Sequence, residues 1–312
     1  MSGVREKIRL GLVGVGKIAR DQHIPAIGGN QRFELAAVAS RHAGVEEVPS
    51  YHDIEAMLAG DHGLAAVAVC TPPAGRFAIA RTAIAAGLHV LLEKPPGATV
   101  AEVDDLVARA TKAGVTLFAT WHSREAASVD AARDWLADKH IRSAHIEWRE
   151  DIRVWHPGQD WILEPGGFGV FDPGINALSI ATAILPEALI VQSAELEIPA
   201  GRDSPIAATV VMCHGTDTPV RVDLDFLQTG PQSWNITVET DGGTLVLREG
   251  GKRLWIAGKE KSVAADEEYP RLYRRFAELI EAGQSDVDLR PLQLVADAFL
   301  LARRTEVASF DF

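Results

Sequence analysis

Short apolar runs at positions 8–13, 33–39, 65–70, 89–92 and 116–120 punctuate the first part of the chain, separated by longer stretches whose apolar residues recur at helical spacing. The runs are almost unbroken in apolar character, as strands are when helices cover both faces of their sheet. Strands and helices alternating in this way predict an α/β fold built on a doubly wound, parallel Rossmann sheet.

The pattern changes in the second part. Val220, Arg221, Val222, Asp223, Leu224, Asp225 and Phe226 alternate apolar with polar, and similar short runs occur at 145–149, 189–196, 208–213, 235–239 and 244–247. One apolar and one polar face, with turns such as Asp241-Gly242-Gly243, predict an open, mostly antiparallel sheet. Helices are predicted at 173–184, 270–282 and 291–307, each opened by a proline in its first turn. The last parallel strand ends just before Ser123, so two domains are expected, 1–122 and 123–312.

Composition supports that division, because 312 residues suffice for two cores, and 47% hydrophobic with 24% charged residues is an ordinary globular balance. A net charge of −12 argues against nucleic acid as a partner, since a phosphate-neutralising surface needs clustered Lys and Arg. It leaves room for a local pocket that accepts a cofactor's phosphates. Cys70 and Cys213 each lie in an apolar run, which reads as two buried thiols in a reducing, cytoplasmic setting. The basic and apolar start resembles a secretory leader, but Lys17 interrupts it and the glycines have a better explanation. No apolar stretch approaches the length of a membrane span. The histidines and cysteines show no metal-ligand spacing, so no metal is expected.

The strand at 8–13 runs directly into Gly14-Val15-Gly16-Lys17-Ile18-Ala19, the G-x-G-x-x-A form of the dinucleotide fingerprint, followed by an amphipathic helix. Gly14 permits the tight turn and Gly16 lets the backbone approach a pyrophosphate. The small Ala19 allows close packing, and Lys17 and Ile18 open the helix whose N-terminus faces the anion. His23 is read as lying on the surface of that helix near the cofactor. The second strand ends in Ala39-Ser40-Arg41-His42 without the carboxylate that would bind the ribose of NAD and repel a 2′-phosphate. Ser40 can donate to that phosphate and Arg41 can pair with it, so NADP is expected to be preferred over NAD, unless Arg41 is a solvated loop residue.

At the end of the fourth predicted strand stands Glu93-Lys94-Pro95-Pro96, on the edge where open α/β sheets bind ligands. Together with Gly14 to Ala19, the Thr71-Pro72-Pro73 turn and Gly166-Gly167 followed by Asp172, it resembles the glucose–fructose oxidoreductase / inositol dehydrogenase (Gfo/Idh/MocA) family over nearly the whole chain. Residues 161–176 are most similar to its bacterial L-arabinose or D-galactose 1-dehydrogenases. The resemblance implies a Rossmann domain followed by an open-faced sheet, with Lys94 beside the reacting carbon and a cis bond before Pro95. Thr71, Pro72 and Glu93 would then contact the cofactor.

The family's Asp-x-Gly-x-His element reads Asp172-Pro173-Gly174-Ile175-Asn176 here. Asn176 cannot exchange a proton at neutral pH, so acid–base work passes to Lys94 or Asp172, with Asn176 as a hydrogen-bonding contact. Four residues apart at the start of a helix, Asp172 and Asn176 share a face. An Asp before a Pro is also an ordinary helix cap, which is the alternative for Asp172. The reaction implied is hydride transfer from C1 of an aldose, with Asp172 taking the hydroxyl proton and Lys94 holding the developing alkoxide. His122, Trp155, His156 and Trp234 are the candidates for sugar contacts, with core packing as the alternative for each. Another polyol as substrate, such as an inositol or xylose, and a non-catalytic NADP sensor are the competing readings. The open sheet face implies pairing into a homodimer, unless its polar residues are solvated.

Overall fold

The first half of the chain builds a six-stranded, all-parallel sheet from β1 (Ile8–Val13), β2 (Phe33–Ala39), β3 (Ser50–Tyr51), β4 (Ala66–Val69), β5 (His89–Leu92) and β6 (Leu117–Ala119). Its order is β3-β2-β1-β4-β5-β6. The computed structural model describes residues 6–261, 265 and 267–312. Strand order reverses between β1 and β4, so the crevice at their C-terminal ends is the place for a ligand. Helices Pro73–Ala85 and Val100–Ala113 flank the sheet, the second opened by a capping box of Thr99 and Glu102.

The chain divides into two compact units, and the first takes back a late segment: it comprises Met1–Trp121 and Tyr269–Asp288. Helix Glu268–Ala282 places Tyr269, Leu272, Tyr273, Phe276 and Leu279 in one core with Leu10, Leu12, Phe33 and Val38. A boundary near Ser123 does not foresee this return. The amphipathic pattern of 270–282 shows that a face must be buried, not against which sheet.

The second unit, His122–Glu268 and Leu289–Phe312, holds a nine-stranded mixed sheet. Its strands are β7 (Ile141–Arg149), β8 (Leu189–Pro199), β9 (Ala207–His214), β10 (Thr218–Asp225), β11 (Ser233–Thr240), β12 (Gly243–Arg248), β13 (Arg253–Ile256), β14 (Lys259–Lys261) and β15 (Ala302–Val307). They run in the order β14-β13-β12-β11-β7-β10-β9-β8-β15, antiparallel except for β7 with β10 and β8 with β15. The expected alternation is present: Ile146, Trp148, Val222, Leu224, Ile236 and Val238 are buried. The sheet packs against helices Val129–Leu136 and Phe171–Ile184. On the other face Asp223 gathers Arg221, His145 and Thr209 at 2.7 to 3.0 Å. Burial would raise the Asp223 pKa, but these hydrogen bonds, with the Arg221 charge, hold it at about 2.

Two helix expectations change. The helix expected at 291–307 stops at Leu301, and Ala302–Val307 pairs parallel to β8 as an edge strand, where ladder hydrogen bonds outweigh helical continuation. The helix expected from Pro173 begins two residues earlier, at Phe171.

Candidate active site

In the first unit, Gly14 closes the turn after β1. Its N–H donates to the Ala39 carbonyl at 2.8 Å and its φ is +95°, while a Cβ there would lie 2.9 Å from the Thr71 nitrogen. Only glycine permits that backbone and that approach. An added Cβ at Gly16, by contrast, would meet no atom within 4 Å. Helical residues follow from 17 to 28, with a π-helical turn over Ala19–His23. Lys17 pairs with Asp21, and Ile18 is partly exposed. Ser40, at the end of β2, donates its N–H to Tyr51, and Arg41 is exposed beside it. Across the crevice Thr71 and the exposed Pro72 leave β4, and the buried Thr71 hydroxyl has no hydrogen-bond partner among the described residues. An open cradle at Gly16, a helix start behind it and an unpartnered hydroxyl opposite fit a dinucleotide. Among the described residues no group of three His, Cys, Asp or Glu could hold a metal ion, and no helix is long and apolar enough to cross a membrane.

Lys94 follows β5 and is half-buried, with a cis peptide bond to Pro95. Its N–H donates to Oε2 of Glu93 at 2.6 Å. The Glu93 carboxylate is itself buried, with Oε1 accepting from the Tyr269 hydroxyl at 2.6 Å and lying 3.1 Å from Nε2 of His23. His23 Nδ1 stands 2.8 Å from the Tyr273 hydroxyl. His23 is therefore not on the helix surface as expected: it is fully buried, sharing one face with Ala19, Ala26 and Ile27, because the Glu93 carboxylate and the Tyr273 hydroxyl satisfy its two ring nitrogens there. Burial works against a charge on His23. The electrostatic pull of Cys70 and Tyr273, with hydrogen bonds to Cys70 and Glu93, outweighs it, and the pKa stands well above 6.5. Burial pushes the Tyr273 phenol up to about 12.

In the second unit, Asp172 lies inside the first turn of helix Phe171–Ile184, where its N–H donates to the Gly169 carbonyl at 2.9 Å. The capping alternative is corrected: Val170 occupies the cap position without a side-chain cap bond, and Asp172 lies two residues past it, inside the helix. Asp172 is buried near the positive end of the helix dipole. The approach to it depends on Gly169, at φ +54°, whose Cβ would collide with the Pro205 carbonyl at 2.2 Å. One turn beyond Asp172, the Oδ1 of Asn176 is buried with no partner among the described residues. His122 opens a 3-10 turn that Arg124 ties to the same helix through the Ser179 carbonyl and Thr182, and its Nδ1 lies 2.7 Å from Glu268.

Trp155, His156 and Trp234 come together around Glu150. The buried carboxylate of Glu150 pairs with His156 Nε2 and accepts from Trp234 Nε1, both at 2.9 Å. Trp155, 45% exposed, stands edge-on to Trp234 with ring centroids 4.9 Å apart. The two indoles, Gln232, Glu147 and Arg248 border an open concavity of about 610 Å³. Sequence reasoning passed over Glu150, because a lone Glu at a strand end carries no motif. It also passed over Arg76, Tyr269 and Tyr273, whose roles depend on contacts remote in sequence.

Residues 8–120 match the Gfo/Idh/MocA profile, described as an oxidoreductase family with an NAD-binding Rossmann fold. The chain is also 44% identical over 317 aligned positions to galactose 1-dehydrogenase of Pseudomonas fluorescens, covering 98% of this chain and 99% of that protein. The chain belongs to the Gfo/Idh/MocA oxidoreductase family. Among solved structures, a D-galactose-1-dehydrogenase protein from Rhizobium etli superposes with a TM-score of 0.94 at 53% identity, covering 98% of this chain and 99% of that one. A 3-ketoreductase from Actinomadura kijaniata, crystallised with NADP and TDP-benzene, shares the fold at 20% identity with a TM-score of 0.84, covering 97% of this chain and 100% of that one. As a Gfo/Idh/MocA protein, the chain is an oxidoreductase with an NAD-binding Rossmann domain, homologous to galactose 1-dehydrogenases.

Proposed function

We propose that the chain is an NADP-preferring aldose 1-dehydrogenase that oxidises C1 of D-galactose, of L-arabinose or of both to the lactone. The observation that carries this reading is the pair on helix Phe171–Ile184, a buried Asp172 carboxylate with the unpartnered amide oxygen of Asn176 one turn on. Near-full-length similarity to galactose 1-dehydrogenases supports it.

When bound, the nicotinamide supplies a hydride acceptor at C4. Asp172 takes the proton of the C1 hydroxyl as the C1 hydrogen departs with its electron pair and the C1–O bond becomes double. Lys94 holds that oxygen and stabilises the negative charge that develops on it. Asn176 hydrogen-bonds the sugar or the lysine, His122 and His156 offer contacts to hydroxyls, and Trp155 and Trp234 present faces to the sugar's C–H surface. Glu150 fixes two of these side chains at once. Gly14, Gly16, Lys17 and Ile18 hold the pyrophosphate, and Thr71, Pro72 and Glu93 border the nicotinamide side. Ser40 and Arg41, without a carboxylate at the end of β2, favour NADP over NAD. The polar open face of the nine-stranded sheet is the surface through which two copies pair, and the protein works in the cytoplasm.

The test is absorbance at 340 nm with NADP or NAD and, separately, D-galactose, L-arabinose, D-xylose and myo-inositol. Turnover of D-galactose or L-arabinose supports the reading. Reduction with D-xylose or inositol alone assigns another substrate, and cofactor binding without any turnover makes the protein a sensor.

A further inference from the structure

Arg76 is a charged residue in the first turns of helix Pro73–Ala85, yet it is only 2% exposed. Its guanidinium donates to three main-chain carbonyls: Nη1 to Glu93 and Pro95, and Nη2 to Thr71. The first two carbonyls bracket Lys94 on either side, and the third belongs to the turn with the unpartnered Thr71 hydroxyl. The Lys94 N–H is held independently by the Glu93 carboxylate. The backbone around Lys94 is thus fixed at three polar groups, two of them through one planar cation that also grips the β4 turn.

We propose that Arg76 is a positioning residue for the dehydrogenase reaction, locking the Lys94 loop to the Thr71 turn so that the lysine and the nicotinamide side of the cofactor site keep one relative placement. The proposal rests on the function assigned above. A planar fork with five N–H donors can serve three convergent carbonyls at once. A lysine has a single tetrahedral head and would release at least one strand end. Misplacement of a reacting group by about 1 Å costs on the order of 100-fold in rate, so the consequence for turnover exceeds that for folding.

The experiment compares Arg76→Lys and Arg76→Ala with the wild type in four measurements: kcat with the aldose that the wild type oxidises, NADP affinity by fluorescence, melting temperature, and hydrogen exchange of the segment 91–97. Arg76→Lys should lower kcat by about 100-fold with only a small fall in melting temperature, while NADP affinity stays near wild type and exchange quickens at 91–97 but not at 8–28. Low concentrations of guanidinium should restore turnover to Arg76→Ala. Wild-type kcat and protection in Arg76→Lys would overturn the proposal, as would a general loss of stability and NADP binding without selective exchange, or a turnover loss that guanidinium leaves untouched. The exchange measurement needs no sugar. If the wild type oxidises no aldose, the functional reading fails, and faster exchange at 91–97 still decides whether Arg76 locks the loop.

Discussion

The Tyr269 hydroxyl donates to the Glu93 carboxylate at 2.6 Å, joining residues 176 positions apart. Through this bond the late helix Glu268–Ala282 reaches the carboxylate that holds the Lys94 N–H. Tyr269→Phe removes one of the groups that satisfy a buried carboxylate. The expected loss is about 1–3 kcal/mol of stability, read as a lower melting temperature. An unchanged melting temperature would show that Glu93 does not depend on the phenol.

The second unit has its own acid-sensitive element. Asp223 has a pKa of about 2 against 3.8 for an unperturbed Asp, so its contribution is present above pH 3.8 and is lost as pH falls towards 2. Its partner Arg221 is 56% exposed and screened by water, so the contribution is on the order of 1–2 kcal/mol. Asp223→Asn should lower the melting temperature at pH 6 and lose that disadvantage by pH 2. Parallel curves for the two proteins across that range would remove Asp223 from the acid limb.

Cofactor choice should turn on the end of β2. Ser40→Asp places a carboxylate where a 2′-phosphate would lie, and Arg41→Ala removes the cation beside it. Each should lower kcat/KM for NADP by about tenfold or more, and Ser40→Asp should leave or improve the value for NAD. Equal effects on both cofactors would place the adenosine end elsewhere.

Asp172 offers the sharpest contrast between chemistry and architecture. Asp172→Asn keeps the shape and cannot accept the proton. Its kcat should fall by about 100-fold or more, with NADP affinity and melting temperature little altered. Full turnover in that variant would return the residue to a purely structural role in the helix.

What the chain reveals in advance follows from how local each signal is. Strands β1, β2, β4 and β5 are legible because covering both faces of a sheet demands unbroken apolar runs, and the glycine turn announces itself beside them. Alternation in the 220–226 segment likewise declares a sheet with one wet face. The return of Tyr269 to the first unit is not legible, since a helical apolar stripe does not name its partner. Arg303 and Arg304 continue a helix-compatible pattern, and only the exposed edge of β8 makes them strand. Among the candidate site residues, Lys94 and Asp172 each stand in a recognisable motif. His23, Arg76 and Glu150 do not, because a polar residue reads as surface until the groups that satisfy its burial are known.

In the proposed reaction C1 of the sugar gives up its hydride. The decisive measurement is to incubate the protein with NADP and D-galactose deuterated at C1 and record the proton spectrum of the reduced cofactor. Deuterium is expected at C4 of the nicotinamide, one atom per turnover, with galactonolactone or its hydrolysis product accumulating in step. Reduced cofactor that carries no deuterium, or none formed at all, would rule out hydride transfer from C1.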